Sequence, residues 1–171
     1  IMGKIQIFKY NLIIFLIFSA VLTFVAGRLP RCLYQYRRWL FHPRKWEKSG
    51  RFYEKYFFVK KWKCRLPELS DFIKTFFAKK HLKNSSRGYL ETFLNESCKS
   101  EIAHWMIISS ALLFFIWSDT ASGFLVLGLA LLLNLPYIII QRYNRPRLLR
   151  LLAREDEHAA EFVPADVHAV V

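Results

Sequence analysis

The chain of 171 residues is 54% hydrophobic and carries 26 Lys and Arg against 13 Asp and Glu. Its apolar residues gather in three stretches, which leave too little regular pattern for the core of a large soluble enzyme. The excess of positive charge favours an anionic partner or surface. Together these features predict an all-α integral membrane protein with about three transmembrane helices, one N-terminal and two in a C-terminal helical hairpin.

The first apolar stretch, residues 10–26, is long enough for a membrane anchor. A helix of this length rises about 26 Å, close to the hydrocarbon core of about 30 Å. A secretory signal is the alternative, because Lys4 and Lys9 precede the stretch and the small residues Val25-Ala26-Gly27 stand at its end, but the run is long for the apolar part of a signal. We predict that residues 1–27 form an uncleaved N-terminal transmembrane anchor.

Residues 28–100 hold most of the basic residues, and these alternate with aromatic ones, as in RRWLF (37–41) and RFYEKYFF (51–58). Rings that enter the headgroup layer beside cations that face anionic lipid suit a membrane surface. Single-stranded nucleic acid is bound by the same residue types, but three membrane spans disfavour that partner. We therefore predict a basic, aromatic-rich cytoplasmic region at the membrane interface.

Residues 101–150 contain the other two apolar stretches, 102–117 and 124–140, separated only by residues 118–123. A connection this short favours a tight transmembrane hairpin. The polar residues 151–171 are predicted to form a disordered tail.

Charge predicts the topology, since short cytoplasmic loops collect Lys and Arg and translocated loops do not. The hairpin connection has neither residue, whereas residues 28–100 and the segment after Ile140 have many. We predict a multi-pass protein of the cell membrane, with its N-terminus outside and its basic regions and C-terminus in the cytoplasm. Only Lys4 and Lys9 count against this orientation.

A candidate general base stands at the start of the second span. Glu101 and His104 are three residues apart, so on a helix they share a face, and the carboxylate would orient the imidazole. A neutral imidazole is the form that a general base requires. The alternative is an aromatic belt at the membrane boundary, to which His104 and Trp105 would both belong.

The end of the third span is rich in hydrogen-bond donors. The candidate substrate-binding residues are Trp105, Asn134, Arg142, Tyr143, Asn144, Arg145 and Arg147. Guanidinium groups hold phosphates or a developing oxyanion, although terminal arginines also act as simple positive-inside anchors. Asn134 is costly inside a span unless it pairs with another helix or faces a polar cavity. Pro136 is predicted to kink this helix, and Pro146 to end it at or before Arg145.

Other chemistry has little support in the sequence. Cys32, Cys64 and Cys98 lack CxxC spacing, and Ser109 and Ser110 lie within a span, where serines usually bond to their own helix. The remaining histidines lack metal-ligand spacing, and no glycine-rich phosphate loop is present. We predict neither a bound metal nor a bound cofactor.

Four motifs together carry a family resemblance. They are WEKxGxxY (46–53), VKKWKxxLP (59–67), ExxHW (101–105) and NxPxIxIQRYNRPRL (134–148). In this order they resemble the glycosyl-4,4'-diaponeurosporenoate acyltransferase family, over about residues 28–150. The resemblance implies a bacterial integral membrane acyltransferase of carotenoid biosynthesis, at the last step of staphyloxanthin formation. Such an enzyme esterifies a sugar hydroxyl of a glycosylated carotenoid, or of a related membrane glycolipid, with a fatty acyl chain.

This resemblance suggests roles for the candidate residues. His104, steadied by Glu101, would take the proton of the sugar hydroxyl as the hydroxyl attacks the acyl carbonyl. The three arginines would hold the phosphates of an acyl-CoA or acyl-carrier-protein donor, and Asn144 or Tyr143 would hydrogen-bond the sugar or the carbonyl oxygen. The partners would be the bilayer, the glycolipid and the acyl donor, with no nucleic acid.

Two other functions are compatible with the residues. A non-catalytic membrane subunit would use the basic aromatic surface to bind anionic lipid or a partner protein, and it would tolerate loss of His104. Another small lipid-modifying transferase, such as a methyltransferase, would bind S-adenosylmethionine. The sequence does not determine the oligomeric state.

Overall fold

The computed structural model describes residues 3–67 and 86–161. In these residues the α-helices are α1 (Lys4–Gly27), α2 (Arg51–Phe57), α3 (Val59–Trp62), α4 (Arg87–Ala111), α5 (Phe114–Trp117) and α6 (Thr120–Glu161). Short 3-10 turns lie at Arg31–Leu33, Trp39–Phe41, Lys45–Gly50 and Lys63–Arg65.

Three helical segments of the described chain are long and apolar enough to cross a membrane. They are Gln6–Gly27, Arg87–Trp117 and Thr120–His158. This confirms the predicted all-α membrane protein with an N-terminal helix and a C-terminal hairpin. Each segment extends beyond its predicted span, because helical structure continues into polar residues that hydropathy alone leaves out.

The first helix packs against the hairpin near the hairpin's connection. Phe15 of α1 lies in an apolar cluster with Phe114 and Val126, and the Phe15 and Phe114 rings meet edge to face at 6.3 Å. Asn11 donates a hydrogen bond to Ser118 at 2.7 Å. The beginning of α1 therefore lies at the same end of the molecule as the hairpin connection.

The last helix does not end where the sequence predicted. Pro136 and Pro146 both lie inside α6, which continues to Glu161. Beyond Pro146 the helix is supported by packing, because Leu148 and Leu152 join a buried cluster with residues of α4. This burial offsets the backbone hydrogen bond that proline cannot donate.

The predicted tail begins within this helix. Residues 151–161 are helical in the structure, and residues 162–171 lie outside the described part of the chain.

The segment from Lys45 to Trp62 folds onto the middle of α6. Tyr53 and Val59 are buried against Ile139 and Tyr143. Large aromatic side chains of this segment and of the preceding turn are exposed, among them Trp39, Trp46, Tyr56 and Phe58. This arrangement, buried on the hairpin and aromatic outside, suits a layer at a membrane surface.

Candidate active site

A buried charge cluster joins the two helices of the hairpin. The Oε1 atom of Glu101 on α4 accepts a hydrogen bond from Arg142 Nε at 2.6 Å, and its Oε2 atom accepts one from Arg145 Nη2 at 2.6 Å. A second carboxylate, Glu47, lies 3.7 Å from Arg142 Nη1. Two carboxylates thus balance two guanidinium groups, so the cluster buries no net charge.

Both carboxylate oxygens of Glu47 accept hydrogen bonds within the central region. The donors are the backbone N–H of Arg44 and the Tyr53 hydroxyl, each at 2.6 Å. Burial, together with the neighbouring Glu47 charge, raises the pKa of Tyr53, so the phenol stays protonated and donates. The WEKxGxxY motif therefore contacts the last motif through the Glu47–Arg142 pair.

The same arginines also hold the turn at Trp39–Phe41. Arg142 Nη2 donates to the Leu40 carbonyl at 3.1 Å, and Arg145 Nη1 donates to the Phe41 carbonyl at 3.2 Å. Arg145 is only 1% exposed. The sequence suggested that both arginines hold donor phosphates, but in the structure their guanidinium groups are engaged by internal partners.

His104 has a different partner from the one that the sequence suggested. Its Nδ1 atom lies 2.9 Å from Asn134 Oδ1 across the hairpin, whereas both oxygens of Glu101 accept from arginines. The Asn134 amide donates to the Ala130 carbonyl at 2.8 Å, which fixes its orientation. Because Oδ1 can only accept, Nδ1 carries the proton and Nε2 the lone pair in neutral His104.

Tyr137 also contacts His104. The Tyr137 ring stacks on the His104 ring with centroids 4.9 Å apart and planes 11° apart. Its hydroxyl donates to the Pro67 carbonyl at 2.8 Å, so the VKKWKxxLP motif contacts the residue that stacks on His104. Sequence reasoning missed Tyr137, although its spacing of three from Asn134 places both on one helical face.

The neighbouring Trp105 points elsewhere. It follows His104 on α4 and is 46% exposed. This exposure is compatible with an aromatic side chain in the headgroup layer.

The remaining candidates on α6 lie further along the helix. Asn144 Oδ1 accepts from Lys63 Nζ at 3.3 Å, and burial, with the nearby Arg147 charge, lowers the pKa of Lys63. The Arg147 guanidinium lies 4.2 Å from the centroid of the buried Tyr143 ring. Arg147 lines a second site, whereas Asn144 pairs with Lys63 outside its lining.

This second site is a cavity of about 970 Å³. It is lined by Lys48, Ser49, Arg51, Glu54, Lys55, Lys60, Arg147 and Arg150. Among them, only Arg147 was predicted from the sequence. Arg150 lies one turn further along α6, and the other six lining residues come from the central region, whose placement on α6 depends on tertiary packing.

Other reactive groups give no competing centre in the described residues. Cys98 is buried, while Cys32 and Cys64 are exposed. The Ser110 hydroxyl donates to the Ile107 carbonyl of its own helix at 2.7 Å. Across residues 3–67 and 86–161 no three His, Cys, Asp or Glu side chains come together as metal ligands.

Comparison with known proteins identifies the family. The family model described as glycosyl-4,4'-diaponeurosporenoate acyltransferase matches residues 37–154. Proteins of that name from Staphylococcus aureus strains N315, bovine RF122 / ET3-1 and Newman are 30%, 29% and 29% identical over 136 residues, covering 78% of this chain and 82% of each relative. No solved structure matches significantly. The chain therefore belongs to the glycosyl-4,4'-diaponeurosporenoate acyltransferase family and is a membrane acyltransferase.

Proposed function

We propose that this enzyme transfers a fatty acyl chain from a thioester donor to a sugar hydroxyl of glycosyl-4,4'-diaponeurosporenoate or a related membrane glycolipid. The names of its relatives supply the acceptor class. The His104–Asn134 pair is the single observation that supports the reaction chemistry. It fixes the His104 ring with Nδ1 as the hydrogen-bond donor, so that Nε2 carries the lone pair whenever the imidazole is neutral.

In the proposed step, His104 acts as the general base. Nε2 removes the proton of the sugar hydroxyl while the hydroxyl oxygen attacks the thioester carbonyl carbon. A carbon–oxygen bond forms, the carbon–sulfur bond breaks, and the thiolate leaving group takes the proton back from the imidazolium. The products are the sugar ester and the free thiol, and no acyl-enzyme intermediate is needed.

Asn134 and Tyr137 would act as positioning residues for this base. As Nε2 gains a proton, Nδ1–H keeps its acceptor on Asn134, so the imidazolium is stabilised without movement of the ring. The stacked Tyr137 ring restricts rotation of the imidazole. Glu101 would serve indirectly, because its pairs with Arg142 and Arg145 fix the register of α4 against α6.

We propose that the basic region faces the cytoplasm, where activated acyl donors are made. The ends of the two hairpin helices that lie far from their connection would face the same side. The positive-inside rule supports this orientation, since the hairpin connection carries no Lys or Arg. The beginning of α1 lies at the same end as this connection, so both would lie outside in the proposed orientation.

Lipid mass spectrometry of cells that make the glycosylated carotenoid would test this function. Wild type should add a fatty acyl mass to the glycolipid, and His104→Ala should not, at equal membrane expression. His42→Ala is the control, because His42 is exposed and lies outside this site. If neither wild type nor His42→Ala acylates the carotenoid or any other glycolipid, the proposed function is wrong and a non-catalytic role gains support.

A further inference from the structure

The cationic cavity has an imbalance of charge that the buried cluster lacks. Six cationic side chains line it, and Glu54 is the one carboxylate among its lining residues. Glu54 is already shared between Lys60 and Arg147, and the hydrogen bond from Lys60 lowers its pKa, so it stays ionised. The cavity therefore carries a large excess of positive charge on one concave surface, as a site for several phosphate groups would.

One wall of the cavity is built from strained backbone. Lys48 and Ser49 have φ values of 46° and 56°, which side-chain-bearing residues seldom adopt, and Gly50 follows at 90°. A Cβ atom at Gly50 would lie 3.0 Å from the Tyr143 carbonyl oxygen, so this turn packs directly on α6 one helical turn before Arg147. The turn thus brings Lys48 to the cations of α6 in a fixed geometry.

The size and place of the cavity indicate what kind of anion fits. About 970 Å³ is at the upper end of volumes that hold nucleotide-sized ligands. Arg147 follows Asn134 by roughly 20 Å along a helix that rises 1.5 Å per residue. A donor that used both places would need a long arm between its phosphates and its thioester, and the pantetheine arm of coenzyme A is such a linker.

We infer that this cavity binds the phosphorylated adenosine head of a coenzyme A thioester, whose acyl group then reaches His104. The inference rests on the proposed acyl transfer and names its donor. Lys48, Arg51, Lys55 and Arg150 contact the pyrophosphate and the 3'-phosphate, together with Arg147. An acyl carrier protein would present a single phosphodiester on a large acidic surface, which leaves most of a concave cationic cavity unused.

Binding of coenzyme A to the full chain in neutral phosphatidylcholine nanodiscs would test this site. The double variant Lys55→Gln/Arg150→Gln should bind coenzyme A roughly tenfold more weakly, and the matched control Arg38→Gln/Lys45→Gln should bind as wild type does. Both controls are exposed cations that do not line the cavity. Equal loss in both double variants, or in neither, would overturn the assignment.

Two further measurements distinguish a specific loss of phosphate binding from misfolding of the variant. Glu54→Gln removes the carboxylate that competes with phosphate, so it should tighten coenzyme A binding, a gain that misfolding does not produce. Pantetheine has no phosphate, and its weak binding should not change in the Lys55→Gln/Arg150→Gln variant. Weaker binding of coenzyme A by Glu54→Gln would contradict the proposal.

Three outcomes distinguish coenzyme A from a lipid headgroup, and a failure of this inference from a failure of the proposed function. If anionic phosphatidylglycerol in the nanodisc abolishes coenzyme A binding at physiological salt, the cavity is a lipid-headgroup site and the inference is wrong. If acyl transfer proceeds from acyl carrier protein and is unaffected by Lys55→Gln/Arg150→Gln, the inference fails while the proposed function stands. If coenzyme A binds as expected but no glycolipid is acylated, the proposed function is wrong and the assignment of coenzyme A to the cavity stands.

Discussion

Replacing Glu101 by Gln should destabilise the hairpin strongly. The carboxylate accepts a 2.6 Å hydrogen bond from each of two arginines and is 1% exposed. Gln keeps the size but removes the charge, which leaves Arg145, also 1% exposed, without a full counter-charge. Breaking a buried ion pair in this way costs about 3–5 kcal/mol. For a chain of this length that lowers Tm by on the order of 10 °C.

The assay is thermal unfolding in one detergent. The quantity measured is the fraction of protein that remains monodisperse after heating to each temperature. Glu96→Gln is the matched control, because Glu96 lies on the same helix in a partly exposed pair with Lys99 at 3.3 Å. Its loss should cost no more than about 1 kcal/mol. If Glu101→Gln melts within about 2 °C of the Glu96 control, the cluster does not hold the hairpin together.

Three other substitutions test separate parts of the structure. Gly50→Ala should lower the free energy of unfolding by about 1–3 kcal/mol in the same assay, since φ is 90° and the new Cβ would press on the Tyr143 carbonyl. Tyr53→Phe should cost about 1–3 kcal/mol by leaving Glu47 without its hydroxyl donor. Asn134→Leu should lower kcat for acyl transfer by up to about 10²-fold with little change in KM, because it removes the acceptor of His104 Nδ1–H.

Each of these three predictions can be contradicted by a specific result. A Gly50→Ala protein as stable as wild type would mean that the turn relaxes without strain. For Tyr53, stability should fall more steeply above about pH 10 in wild type than in Tyr53→Phe, because the raised pKa makes folding depend on the protonated phenol. Parallel pH curves would exclude that dependence. A rise in KM alone for Asn134→Leu would indicate a role in substrate binding rather than in positioning the base.

Hydropathy and loop length were enough to predict the three helices and the hairpin. They fail at the helix ends, because the continuation of α6 past Pro146 depends on Leu148 and Leu152 packing against α4. That contact joins residues far apart in sequence, and no local signal reports it. Helix propensity therefore predicted an end at the proline, whereas tertiary packing stabilises the helix beyond it.

Several of the candidate site residues lie close together in the structure, but they pair differently from what the sequence suggested. Spacing alone suggested that Glu101 orients His104, since both lie on one face of α4. The register of α4 against α6 instead gives Glu101 to the arginines and His104 to Asn134. Asn134 was recognised as an amide that needs a partner inside a span, and the structure provides that partner.

We propose that His104 is the base of an acyl transfer to a glycosylated carotenoid. The most direct measurement is the rate of ester formation by purified wild type and His104→Ala in nanodiscs, with the glycolipid and a fatty acyl-CoA supplied at saturation. Wild type should form the ester, and His104→Ala should be slower by at least about 10²-fold while remaining folded. Equal rates for the two proteins would contradict the claim.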